Sequence, residues 1–226
     1  MALSEQLVRY AEDLARVYAE TERTLDQILA AWVGLLEAKI PPLRGHAARV
    51  VYWTERLNQV LPAPLPAREL RRAAWLHDIG FLAQPDREVA GWLAAAARAR
   101  STEGAGAAHL FEHAELGARM LTPVEAFRPF LPWIRHHHER WDGSGKPEGL
   151  AGEAIPLGAR VLAVAEVMEF YTRLARPLSL AGVRKRLGEL AGRQLDPRLV
   201  EAFLGLPLEE LFENYRWLEA HAGSGD

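Results

Sequence analysis

The chain has 226 residues, 49% of them hydrophobic and 25% charged, with a formal net charge of -3. That is enough to bury the core of one medium domain with an appendage, and the mild negative charge excludes a broad surface for polymeric nucleic acid, so any phosphate site must be local. The absence of Cys excludes disulfides and thiolate metal sites. His, Asp and Glu are left as ligands, the donor set of a hydrated catalytic centre rather than a structural zinc.

In chain order, residues 5–39 read as one long helix with Ser4 as its N-cap and Pro41-Pro42 as its stop. Its apolar positions Leu7, Ala11, Leu14, Tyr18, Thr21, Leu25, Ile28, Trp32 and Leu35 alternate steps of four and three, a heptad seam. Two readings stand: an amphipathic helix lying on its own domain, or a helical stalk that makes a homodimer. The spacing predicts further helices over 43–61 and 67–79, the second ending near Gly80. Residues 86–100 look helical, and the small, glycine-containing stretch 101–107 suggests a lid. Helix 109–121 places His109 and His113 on one face. Thr122-Pro123-Val124-Glu125 has the pattern of a capping box. A brief helix over 133–141 delivers a His run, and 142–156 form a glycine-rich loop.

An apolar helix follows from Pro156 to about Ala175, with Glu166 inside it, a carboxylate that needs a partner if buried. Ser179 caps a helix over 180–192, Asp196-Pro197 opens another over 197–204, and a last one spans 207–220. No strand pair, repeat or low-complexity segment is evident. The fold class is all-α, a helical bundle with a long N-terminal helix, divided into residues 1–40 and a domain over 41–222. No secretory signal opens the chain and no apolar run is long enough to span a membrane. The expected location is cytoplasmic, with no membrane partner.

Two stretches concentrate chemistry. Trp75-Leu76-His77-Asp78-Ile79-Gly80 puts an imidazole beside a carboxylate, and His136-His137-His138-Glu139-Arg140-Trp141-Asp142-Gly143-Ser144-Gly145-Lys146-Pro147 joins imidazoles and acids to a sharp turn. Taken singly, each His also reads as a structural or surface residue. Together with His46-x-x-Arg49, Glu112-His113, Gly149-Leu150, Ile155-Pro156, Ala159-Arg160-Val161 and Arg176-Pro177, their order and spacing resemble the HD-GYP branch of the HD metal-dependent phosphohydrolases over roughly residues 40–205.

That resemblance implies an HD-domain helical bundle and a phosphodiesterase that hydrolyses a cyclic dinucleotide, cyclic di-GMP, with a metal-bound hydroxide attacking in line. Two divalent metal ions, iron, manganese or another transition metal, would be held by His46, His77, Asp78, His113, His137, His138 and Glu166. Asp78 is the candidate bridge and, with His77, the catalytic pair. Adjacent imidazoles at 137 and 138 diverge on a helix, so a non-ideal turn must hold them or one must act indirectly. Glu139 and Asp142 read either as acceptors for the outward N–H of a ligating imidazole or as surface partners of Arg135 and Arg140. Lys146 and Arg176 read either as substrate-binding cations that would face phosphate or as a solvent-facing lysine and a charge at a helix end, and His136, His109 and His221 are assigned no role.

Some positions depart from the family pattern. Gly145-Lys146-Pro147 stands for Gly-Tyr-Pro, Phe81 stands where the family has Lys, and Glu166 stands for Asp. Pro42 occupies the place of a Glu that supports a third metal, which favours two ions. These changes leave open a degenerate member that binds a nucleotide or protein partner without turnover, or an enzyme for another phosphoester.

Overall fold

The computed structural model describes residues 2–99, 111–174 and 178–221. Among them are ten α-helices, short 3-10 turns and a π-helical turn over Phe170–Leu174, with two isolated β-bridges and no strand. The helices are α1 (Ala2–Lys39), α2 (His46–Gln59), α3 (Ala67–Leu76), α4 (Asp86–Ala99), α5 (Glu112–Leu121), α6 (Leu131–Arg135), α7 (Leu157–Glu169), α8 (Leu180–Leu190), α9 (Pro197–Leu204) and α10 (Leu208–His221). No described helix is long and apolar enough to cross a membrane.

Helix α7 is the central rod. Val161, Leu162, Val164, Ala165, Val167 and Met168 are all buried, so apolar side chains surround nearly its whole circumference. Each large one contributes about 1.5–3 kcal/mol by leaving water. α2 packs on α7 and on α3, and α6 lies along the other side of α7. Gly158 makes the α6–α7 approach possible, since a Cβ there would stand 2.2 Å from the Trp133 ring. Behind α2, Trp53, Phe203, Tyr52 and Tyr215 close the core with tilted and edge-on ring contacts.

The 38 residues of α1 extend about 57 Å. Leu29, Val33, Leu36 and Ile40 are buried on the domain, with Leu25 and Trp32 partly covered beside them. The seam expected from the sequence is therefore divided. At 100° per residue, Leu7 and Leu14 share the angular face of Leu25 and Trp32 and are exposed only because no described residue covers 5–20, whereas Ile28 and Leu35 face outward on the same side as Tyr10 and Val17. Arg72 of α3 anchors the inner face through Glu22 and Asp26 of α1, at 2.8 and 2.7 Å. Ser4 and the stretch 101–107 lie outside the residues whose side chains are described.

Two other local expectations change. Thr122 is no N-cap. It closes α5, its hydroxyl donating to Ala118 O at 2.9 Å, and a 3-10 turn over Glu125–Phe130 takes the place of a capped helix. The helix expected over 43–61 is shorter because Gly45, with φ 71°, turns the chain just before His46. The caps at Ser179 and Asp196 form as expected, accepting from Gly182 N at 3.2 Å and Arg198 N at 2.9 Å.

Candidate metal centre

α3 unwinds where its sequence turns from apolar to His77-Asp78. His77 keeps helical angles, but Asp78 sits at φ -95°, ψ 1°, the bridge conformation common in active sites. A 3-10 turn, Ile79–Ala83, follows, and α5 lies directly on it. The contact requires glycine: a Cβ on Gly80 would lie 2.0 Å from His113 O and 2.6 Å from Gly117 N. Two backbones touch, and His113 is brought over Asp78.

The His run behaves differently from a helix. α6 ends at Arg135, His136 adopts φ -108°, ψ 13°, and the chain turns through 136–138. That turn brings the His137 and His138 rings to the same side, with centroids 4.0 Å apart. The first resolution of the expected divergence, a non-ideal turn, is the one adopted.

Two groups of potential ligands result, His46 with His77 and Asp78, and His113 with His137 and His138. Within each group the ligand atoms lie within 4.8 Å of one another. Asp78 spans both groups. Its Oδ2 stands 3.4 Å from His46 Nε2 and 3.5 Å from His77 Nε2, while its Oδ1 stands 3.1 Å from His113 Nε2. His113 Nε2 also lies 3.3 Å from His137 Nε2 and 3.1 Å from His138 Nε2.

The tautomers show what this cluster fits. His77 Nδ1–H donates to Ala74 O at 2.8 Å and His137 Nδ1–H to Ile134 O at 2.6 Å, so both rings turn a bare Nε2 lone pair inward. One proton on His113 Nε2 cannot serve Asp78, His137 and His138 at once. Inward lone pairs around a carboxylate in a buried site are costly unless a cation sits among them. Nitrogen and oxygen donors of this kind suit divalent transition metals.

Electrostatics agree with that reading. Burial lowers the proton affinities of His77, His137 and His138, keeping the rings neutral and able to ligate. For Asp78, burial is outweighed by the surrounding imidazoles, which hold the carboxyl well below the usual carboxylate range. For His46, burial is outweighed by Glu169, Asp78 and Glu166, which raise it to about 9.

Glu166 lies at the edge. Its Oε2 is 4.0 Å from His138 Nδ1, and it belongs to neither group. Burial and then the charge of Asp78 push its carboxyl up to about 8, although 17% of the side chain still meets solvent. Glu139 and Asp142 hold the loop rather than an imidazole of either group. Glu139 is buried and accepts the backbone N–H of Glu148 at 2.7 Å and of Leu150 at 3.1 Å, with the outlying His136 3.5 Å away. Asp142 accepts from Ser144 N at 3.0 Å and from Arg140 Nη2 at 3.0 Å, which lowers its carboxyl. Gly145 lets the loop fold back on itself, since a Cβ there would meet Arg140 N at 2.2 Å. Lys146 is exposed and Arg176 lies outside the described residues, as does His109.

The sequence reading missed Glu169. It is fully buried, accepts Arg49 Nε–H on Oε1 at 2.9 Å, and makes ion-pair contacts whose alignment falls short of a hydrogen bond, Oε1 with Arg49 Nη2 at 2.8 Å and Oε2 with His46 Nδ1 at 3.0 Å. A signal existed: Glu169 follows Glu166 by three in an apolar helix, as Arg49 follows His46 by three. Phe81 stands where the resembled family pattern has Lys. It is buried, with its ring stacked on His113 at 3.9 Å and 25°.

Comparison with known proteins places this architecture. The HD domain family matches residues 32–199. A cyclic di-GMP phosphodiesterase of Vibrio cholerae is 28% identical over 220 residues, covering 89% of this chain and 43% of that protein. A 3'3'-cGAMP-specific phosphodiesterase of the same organism, the one numbered 2, is 29% identical over 193 residues, covering 82% and 35%. Among solved structures, the HDG"Y"P protein Bd1817 of Bdellovibrio bacteriovorus superposes with a TM-score of 0.54 at 21% identity, covering 71% of this chain and 51% of that one. The chain therefore belongs to the HD domain family. It spans less than half the length of the two curated relatives described.

Proposed function

We propose that the chain is a metal-dependent phosphodiesterase that opens a cyclic dinucleotide, with cyclic di-GMP as its substrate. The observation that carries this reading is the Asp78 carboxylate, one oxygen turned to each of two histidine groups. Two divalent ions in such a site supply an activated water and neutralise the phosphate. His46, His77 and Asp78 would hold one ion, His113, His137 and His138 the other, with Asp78 between them and Glu166 completing the edge. Lys146 and Arg176 would meet the phosphates. The two curated relatives described act, by name, on cyclic di-GMP and on 3'3'-cGAMP. The proposal takes the first as the substrate and the second as its competitor in the test.

The reading includes a homodimer through the exposed apolar residues of the N-terminal helix α1 and a cytoplasmic location, the latter in keeping with a Cys-free chain. A second reading, binding without turnover, is favoured by Phe81, buried where the family carries a cation, and it leaves the ligand groups intact. Elemental analysis of the purified protein with an assay against a panel of cyclic dinucleotides separates the two. The expected result is two ions per chain and faster turnover of cyclic di-GMP than of 3'3'-cGAMP. His77→Ala with Asp78→Ala should remove metal and activity while the helical circular dichroism persists. Full metal content in that double variant refutes the ligand assignment; an empty metal shell in the wild type favours the binding reading, and bound metal without turnover of any dinucleotide leaves an enzyme for another phosphoester.

A further inference from the structure

Lys39 is the last residue of α1, and its ammonium group is committed to backbone. Nζ donates to the carbonyls of Phe81 at 3.2 Å, Leu82 at 2.8 Å and Gln84 at 2.9 Å, and lies 3.3 Å from Asp86 Oδ1. Those carbonyls end the 3-10 turn that begins just after Asp78. The end of a helical turn carries partial negative charge, and a carbonyl has two lone pairs. Phe81 O can therefore accept both Gln84 N–H at 3.2 Å and the ammonium, and a cation with three donors is matched to this turn. The side chain is largely covered, 24% exposed, which strengthens each contact.

On its opposite side the same turn meets the candidate centre. The Phe81 ring lies flat on His113, and Gly80 sits against the His113 backbone. The turn is thus pressed between α5 and α1, with Lys39 gripping it from behind. His113 Nε2 must face Asp78, His137 and His138 together, and the plane of its ring is set by the Phe81 face.

We propose that Lys39 is a positioning residue for the His113, His137 and His138 group, acting through the Phe81 turn to hold the His113 ring in its ligating orientation. This rests on the reading of the two groups as metal sites. Lys39 touches neither ligand nor substrate, and it stands 74 positions from His113 in the chain.

The test is cobalt(II) titration of the full metal-free chain, followed by the visible absorption of the bound ion, with the melting temperature of each metal-free variant recorded. Wild type should fill two sites. Lys39→Met should fill the His46, His77 and Asp78 site as wild type does, while the other site needs about tenfold more cobalt, the usual scale for groups that orient a ligand. Lys39→Arg, which keeps a cation and its donors, should recover most of that loss. Phe81→Ala should reproduce the defect, and the Lys39→Met, Phe81→Ala pair should be no worse than Phe81→Ala alone, because the two act in series. Equal wild-type affinities in Lys39→Met overturn the inference, as do losses that add in the pair. If Lys39→Met fails to fold, Lys39→Gln, which retains two donors, carries the same comparison. A wild-type chain that takes up no cobalt sinks the metal reading, and this inference with it.

Discussion

Glu166 and Glu169 stand three residues apart on α7 and titrate in opposite directions. Burial and Asp78 raise Glu166 to about 8, whereas His46 and Arg49 overcome the burial of Glu169 and lower it. His46 is raised to about 9. At pH 7 both Glu166 and His46 therefore hold protons in the metal-free chain, and an ion that takes them as ligands must displace those protons. Calorimetric titration with manganese in buffers of different ionisation enthalpy should show proton release at pH 7 that fades above pH 9. The stability sign follows from raised folded values. These groups stabilise fully below their unfolded values, 4.5 and 6.5, and that contribution is lost as pH rises through about 8 and about 9. Melting of the metal-free protein should fall over that window. Glu169→Leu strands the Arg49 guanidinium, only 5% exposed, and should cost roughly 3–5 kcal/mol in urea unfolding. The residue types of the site were legible in the sequence because the imidazoles lie in recognisable motifs. Glu169 was not, because its meaning depends on an arginine 120 positions away.

Helix α5 and the turn after Asp78 approach so closely that glycine is required at Gly80, and a Cβ on Gly117 opposite would be tight, 3.2 Å from Gly80 N. Gly80→Ala must drive the backbones apart and carry His113 with them. Its expected effect is a lower melting temperature together with loss of cobalt from the second site. Gly91→Ala is the control, on an exposed part of α4 where a Cβ meets nothing within 4 Å, and it should gain about 0.5–1 kcal/mol. The described long helices and the caps at Ser179 and Asp196 were readable, since periodicity and capping chemistry are local. The points where α3 and α6 stop were read less well. Short 3-10 turns and bridge-region residues have no repeat to detect, and they are set by what packs against them. The same limit explains Thr122, whose hydroxyl finds a carbonyl one turn back within α5.

For the whole molecule, the all-α reading and the HD-domain assignment hold across residues 32–199, because the spacing between motifs is a property of the fold. α1 was only half legible: a heptad count shows that apolar residues repeat, but not which of them the domain takes. Leu7 and Leu14, continuing the inner face of α1 where no described residue covers it, and Leu35 on its outer face, each 63% exposed, are apolar residues assigned to a second copy. Leu14→Glu should convert a dimer to a monomer by light scattering on a sizing column, with metal content unchanged. A wild-type chain that runs as a monomer removes the dimer from the proposal. Beyond the anchor that Glu22 and Asp26 make with Arg72, every residue from 5 to 20 is exposed. An isolated helix of that length is marginal in water. The proposed dimer would order those early turns, so their backbone amides should exchange more slowly with deuterium as the protein is concentrated, while those of α7 keep one rate throughout.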